Sequence, residues 1–296
     1  MSAVAFAFLS AVANGITNVF IRRAVIGVLD ATIGVLITVP LSVVFYFLIL
    51  IAIGQVSSIT NFSWQSYAWM SAAGILYFIA GRSLNYNLVQ LVGANISTIL
   101  RQLNLIVAVI LGISVLGESF SWQLVVGVLL IIVGLIVTGL NPQMLRSGRK
   151  LFSGIPSKAY LLGLGVGLSW GVSPIMMKLG LSDSNSPVAG AFIAMAAAAV
   201  VASTLLWKSD KRKTLVGMKK GTLGFFCLAG LLGATSGLMF FVALSFGAAS
   251  VVTPLFNTTP IFTLFFSYVF NRKLEVFGPT VIIGIIAVVI GSILLI

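Results

Sequence analysis

Histidine is absent from this 296-residue chain, cysteine occurs once, as Cys227, and only 5 residues are acidic. Those shortages exclude whole classes of chemistry. A histidine-ligated metal site, a four-cysteine zinc site, a Ser-His-Asp triad and an intramolecular disulfide all lack their parts. Charge of either sign is scarce at 7% of residues, whereas a soluble domain uses roughly a quarter to coat itself against water. What is plentiful is apolar: 59% of residues, with a mean hydropathy of +1.18. The solvent that fits is lipid. The net charge of +12 does not call for nucleic acid, because the basic residues lie between apolar blocks and form no stripe interleaved with aromatics.

A helix needs about 20 mostly apolar residues to cross a hydrocarbon core of roughly 30 Å. Ten stretches qualify, near 3–21, 31–53, 64–84, 94–116, 122–140, 159–180, 187–207, 222–245, 250–270 and 277–296. Turn formers and charges punctuate them, as in Asn141-Pro142 and the run Lys208 to Lys213. The expected fold class is an all-α polytopic membrane protein without an extramembrane domain.

A fixed offset reveals a duplicated unit. Adding 156 carries Gly15, Gly34, Gly74 and Gly81 onto Gly171, Gly190, Gly230 and Gly237, which is 4 of the 7 glycines up to Gly93. About one in ten residues is glycine, so chance predicts fewer than one match. An offset of 157 carries Glu118, Gly127 and Gly134 onto Glu275, Gly284 and Gly291. The chain therefore reads as a first five-helix repeat over 1–140, a basic linker over 141–158 and a second repeat over 159–296. Five is odd, so the second copy enters the membrane upside down. Inverted repeats are how many secondary transporters build a site near the midplane that opens to each side in turn.

Short loops rich in Lys and Arg stay in the cytoplasm. Loops after odd-numbered spans carry 14 Lys and Arg, and the opposite side only Lys178. That asymmetry predicts both termini outside.

The motifs that mark the duplication resemble a known family. Trp170-Gly171 followed by Lys178, with Asn14-Gly15 and Arg22 in the first copy, is similar to the Trp-Gly-x6-Lys signature of EamA-type members of the drug/metabolite transporter superfamily. Glu118 and Glu275, each followed by glycines nine and sixteen residues on, resemble the ending of that family's halves, and Pro260 resembles its ninth-span proline. The resemblance covers essentially the whole chain. Asn14 departs from it in place of Trp, and Asn104 in place of Pro. It implies ten helices in two inverted halves around a central cavity, transport of small metabolites, often outward, and cytoplasmic termini, the last against the charge count.

All five acidic residues fall at span ends or in loops, so no intramembrane carboxylate is available to carry a proton or counter a cationic solute. Arg101 is the opposite case. A charge near a helix centre costs roughly 2.5–3.5 kcal/mol on insertion scales and faces a wet cavity or finds a counterion. Arg101 either binds an acidic group of the solute or snorkels to the nearby face. Ser97, Arg101 and Asn104 form one polar stripe, with Thr98 adjoining, and Thr253, Asn257 and Pro260, with Thr258 beside them, form its repeat. The alternative for these stripes is bonding between helices. Asn14, Asn18, Tyr77 and Trp170 complete the candidate solute-binding set, the two aromatics suiting a flat ring or else plain packing. Arg82 stands within a turn of its expected span end and reads as snorkelling. Pro174, Pro254 and Pro260 are candidate hinges.

These observations point to an alternating-access carrier of small solutes, an exporter of amino acids, possibly aromatic ones, following the resemblance. It needs neither metal nor other cofactor, has the bilayer and a small molecule as partners, works as a monomer and sits as a multi-pass protein in the plasma (cell inner) membrane. A passive channel is the alternative. A membrane-embedded lipid enzyme would need an intramembrane acid or base, and the sequence offers none.

Overall fold

The computed structural model describes residues 2–101, 103–139, 156–183, 186–207, 209–271 and 279–294. Every regular element among them is helical. The first half comprises α1 (Ser2–Ile26), α2 (Val35–Ala52, entered through a 3-10 turn at Ala31–Gly34), α3 (Trp64–Gly74), α4 (Arg82–Leu100), α5 (Leu103–Leu116) and α6 (Trp122–Gly139). A π-helical segment, Ile75–Gly81, joins α3 to α4. The second half comprises α7 (Ser157–Gly180), α8 (Pro187–Thr204), the short α9 (Ser209–Val216), α10 (Lys220–Phe246), α11 (Ala249–Phe256), α12 (Thr259–Asn271) and α13 (Pro279–Ile293). Six helical stretches are long and apolar enough to cross a membrane: Ala3–Ile26, Ala31–Ala52, Ser157–Gly180, Pro187–Trp207, Lys220–Phe246 and Ala249–Phe270. Leu103–Leu116 and Trp122–Gly134 are shorter apolar helices.

The third expected span does not stop at 84. Helical backbone continues from Trp64 to Leu100, yet Asn85 and Arg101 are hydrogen-bonded at 3.1 Å. Sixteen residues of straight helix would hold them about 24 Å apart, so the chain folds back within α4. Successive small positions of α7 record both limbs: Gly165 faces Leu84 and Gly163 faces Leu100.

Close contacts recur with the halves exchanged. A methyl group on Gly15 would meet Phe262 and Thr263, and one on Gly171 would meet Val107, the residue equivalent to Thr263. Gly74 lies against the Ala194 backbone as Gly230 lies against Thr38, and Gly34 against Phe226 as Gly190 against Met70. Gly134 abuts the Gly284 carbonyl while Gly291 abuts that of Gly127, each 2.6 Å from an added Cβ. Glycine is needed at such crossings because it alone lets two backbones touch. Both halves also break at the same place, between Leu100 and Leu103 and between Phe256 and Thr259. Pro260 explains the second break, since it lacks the N–H that would continue the helix.

Charged ends tie the frame together. Glu118 accepts the backbone N–H of Ala249 (2.6 Å) and Ser250 (2.9 Å), capping α11, while the Lys178 ammonium donates to the carbonyls of Leu244 (2.6 Å) and Gly247 (2.7 Å) at the end of α10. An anion at an N-terminus and a cation at a C-terminus each complement the helix dipole, so one tight turn is held from both sides. Glu275, the counterpart of Glu118, lies outside the described residues, as does 141–155 of the basic linker. Elsewhere Lys211 of α9 pairs with Asp30, joining the segments after the first and seventh expected spans. Ser63 and Ser66 donate to Asp183, joining those after the second and sixth. Odd-numbered connections thus meet one another, and even-numbered ones likewise.

Candidate solute site

A cavity of about 720 Å³, counting its mouth, opens between the halves. Asn14, Thr17 and Asn18 of α1 and Thr38 of α2 line one side, with Ala229, Gly233 and Gly237 of α10. Facing them are Tyr77 and Phe78 from the π-helical segment, Arg82, Asn85 and Tyr86 of α4, Arg101, and Trp170 of α7. The wider turn of a π segment redirects side chains, and such segments are frequent at functional sites. Here it brings Tyr77 and Phe78 to the wall.

An aromatic and cationic ladder runs through that wall. Tyr77 and Trp170 stack at 5.5 Å between centroids with 25° between planes, and the indole N–H donates to the Tyr77 carbonyl (3.2 Å). The Arg101 guanidinium lies 5.2 Å over Trp170 and donates to Asn85 Oδ1, and the Arg82 guanidinium lies 5.0 Å over Phe78 and donates to Thr38 Oγ1 (3.2 Å). Guanidinium over a ring face is an attractive arrangement. Both arginines are half-buried, and among the described residues neither has a carboxylate partner.

The duplication explains why there is room. Under the offset of 156, Tyr77 corresponds to Gly233 and Trp170 to Asn14. Each half supplies one ring of the stacked pair, Tyr77 from the first and Trp170 from the second, and at the equivalent place of the opposite half stands a glycine or a short amide. All four residues line the cavity.

Five of the nine expected binding residues, Asn14, Asn18, Tyr77, Arg101 and Trp170, come together here. Asn257 and Thr258 stand at the second helix break instead. Asn257 accepts from Asn104 Nδ2 (3.1 Å) and donates to the Thr253 carbonyl, and Thr258 donates to the Leu255 carbonyl. Their partners are internal, as bonding between helices anticipates, and they do not line the cavity. Ser97 is buried away from it, and the Thr98 side chain is outside the described residues. Pro174 lies inside an unbroken α7 and Pro254 inside α11, while Pro260 begins α12 just after the break. Arg82 corrects the reading that it snorkels. Helical backbone continues past it, and its side chain turns onto Phe78 and Thr38. Asn85 lines the cavity beside Arg82, and Thr38, Phe240 and Phe256 line it without having been singled out.

No curated protein matches this chain. A solved crystal structure, described only as that of a protein, has the same fold: a TM-score of 0.74 at 15% identity, over 99% of this chain and 96% of the other. The model of the EamA-like transporter family matches residues 1–140 and again 157–296. The two matches fall on the two halves whose contacts interchange around the cavity, and the chain belongs to the EamA-like transporter family, as a membrane transporter of the drug/metabolite type.

Proposed function

We propose that the protein is an alternating-access carrier for small organic metabolites that carry a flat ring and an acidic group, working outward across the plasma membrane as the family resemblance implies. Aromatic amino acids are the first solutes to try. In this reading the ring lies against the Tyr77–Trp170 stack, in the space left by Asn14 and Gly233, and Arg101 takes the carboxylate. The single observation that carries it is the cavity in which the stacked Tyr77 and Trp170 have only Gly233 and Asn14 as their counterparts, with a guanidinium over the indole. A charge so placed sits in the membrane interior because something wet or anionic answers it.

The ten-span count, the inversion of the second half and the outward termini belong to the same proposal. The reciprocal glycine contacts and the sorting of odd and even connections support it. Rocking would turn on the helix breaks at Arg101 and at 257–258, with Pro254 and Pro260 beside the second. An impermeant thiol reagent that labels a cysteine placed in the 208–213 run of intact cells would refute the orientation.

The carrier reading is tested by counterflow in proteoliposomes, with a panel of amino acids and organic acids inside and a labelled member outside. Saturable exchange that is lost or strongly weakened in Arg101→Gln is expected. Exchange untouched by that change would remove Arg101 from the site, and linear, non-saturating flux would identify a channel instead.

A further inference from the structure

The cavity contains more positive charge than one carboxylate answers. Arg82 and Arg101 are two full charges on one wall, and their hydrogen bonds go to the neutral acceptors Thr38 and Asn85. Of the five acidic residues, Asp30, Glu118 and Asp183 are engaged at loops and helix ends, Asp210 is on the exposed α9, and Glu275 is outside the described residues. None of the four described ones lines the cavity. A primary ammonium brought here would meet two like charges at reduced dielectric, where opposition costs several kcal/mol. The usual substitute for a carboxylate is an aromatic face, but the faces of Trp170 and Phe78 already carry the arginines, and Tyr77, Phe240 and Phe256 pack on one another. Asn14 and Asn18 supply amide dipoles and no charge.

We infer that the site takes a ring-bearing organic acid with two acidic groups, one on Arg101 and one on Arg82, in preference to a zwitterionic amino acid. The inference rests on the carrier reading and narrows it. Each arginine presents a planar fork that grips a carboxylate through paired hydrogen bonds, and each has spare donors, since among the described residues it makes one hydrogen bond to protein. The two forks stand at opposite ends of the Phe78–Tyr77–Trp170 run, which sets the ring between the acidic groups.

Four solutes sharing a phenyl ring separate the possibilities in counterflow with purified full-length protein: phenylsuccinate, phenylpyruvate, phenylalanine and phenethylamine. The expected order of affinity is dianion over monoanion by about tenfold or more, monoanion over zwitterion, and no exchange of the cation. In Arg82→Gln the preference for the dianion over the monoanion should be lost, with a cooperative melt in detergent showing that the variant is folded. Arg82→Lys, which keeps the charge, should restore part of the preference. Phenylalanine exchanging as well as phenylpyruvate, or an Arg82→Gln variant with an undiminished preference for phenylsuccinate, overturns the two-anion inference and leaves the carrier standing. Exchange of none of the four, in protein that melts cooperatively, overturns the carrier reading with it.

Discussion

Asn104 donates a hydrogen bond to Asn257 across 3.1 Å, and in doing so it joins the two helix breaks, one from each half of the chain. Both side chains are buried, and Asn104 Oδ1 has no partner of its own. The bond crosses the boundary on which the halves must move if the solute is to reach both sides.

Breaking that bond should be visible in stability. In a double-mutant cycle of Asn104→Ala and Asn257→Ala, followed by thermal unfolding in detergent, a coupling of about 0.6 kcal/mol, and at most about 1.7, is expected for a side-chain bond inside a membrane protein. Additive effects would mean the pair contributes nothing to holding the halves. Cys227, the chain's one thiol, gives a thiol-reactive dye a single site to report the melt.

Gly81 is the position where the ring stack is most easily spoiled. A Cβ there would lie 2.6 Å from Trp170 Cδ1 and 3.2 Å from Ser169 Cβ. Gly81→Val should therefore push the indole off Tyr77, at about 1–3 kcal/mol of overpacking strain. Ring-bearing solutes should lose affinity more than the protein loses expression. Affinity and the emission of Trp170, isolated by replacing the other tryptophans with Phe, would both stay at the parent values if the stack is only packing.

The Asp30–Lys211 pair predicts an acid-sensitive contact. Burial pushes the Asp30 carboxyl up, but hydrogen bonds from Lys211 and Thr32, with the lysine's charge, outweigh it and hold the group below its ordinary 3.8. Since the folded value is depressed, the stabilisation is full above the ordinary value and is lost as pH falls through the folded one. Hydrogen exchange of 209–216, corrected for its intrinsic rate, should stay flat from neutral pH to about 4 and rise below it. Asp30→Asn should exchange faster at neutral pH, lose the acid step and converge with the parent in acid. Asp30 is partly exposed, so the effect is local and shrinks with added salt.

Much of this layout was legible in the sequence because its strongest signals are also its structural causes. The matched glycines sit where backbones cross, and Arg101 and Asn257, equivalent under the same offset, sit at matching breaks. The third span was cut short for a physical reason. Arg82, Asn85 and Tyr86 dilute the apolar run until it reads as a loop, whereas the chain keeps its helical bonds and satisfies those side chains against Thr38, Phe78 and Arg101. Phe240 and Phe256 carried no mark, since an apolar residue facing a cavity looks like one facing a neighbour. The exchange of Trp for Asn14 was visible as a departure. That it opens space opposite Trp170 needed the partner substitution, Tyr77 for Gly233, to be placed beside it.

That mismatch has a consequence for direction. If the scaffold trades one half's role for the other's as it turns, a bound molecule does not see mirror-image walls before and after, because exchanging the halves sets Gly233 and Asn14 where Tyr77 and Trp170 stood. The two faces of the membrane are then inequivalent for loading, with unequal half-saturation concentrations inside and out. Vectorial bias in such a carrier is written in four side-chain positions.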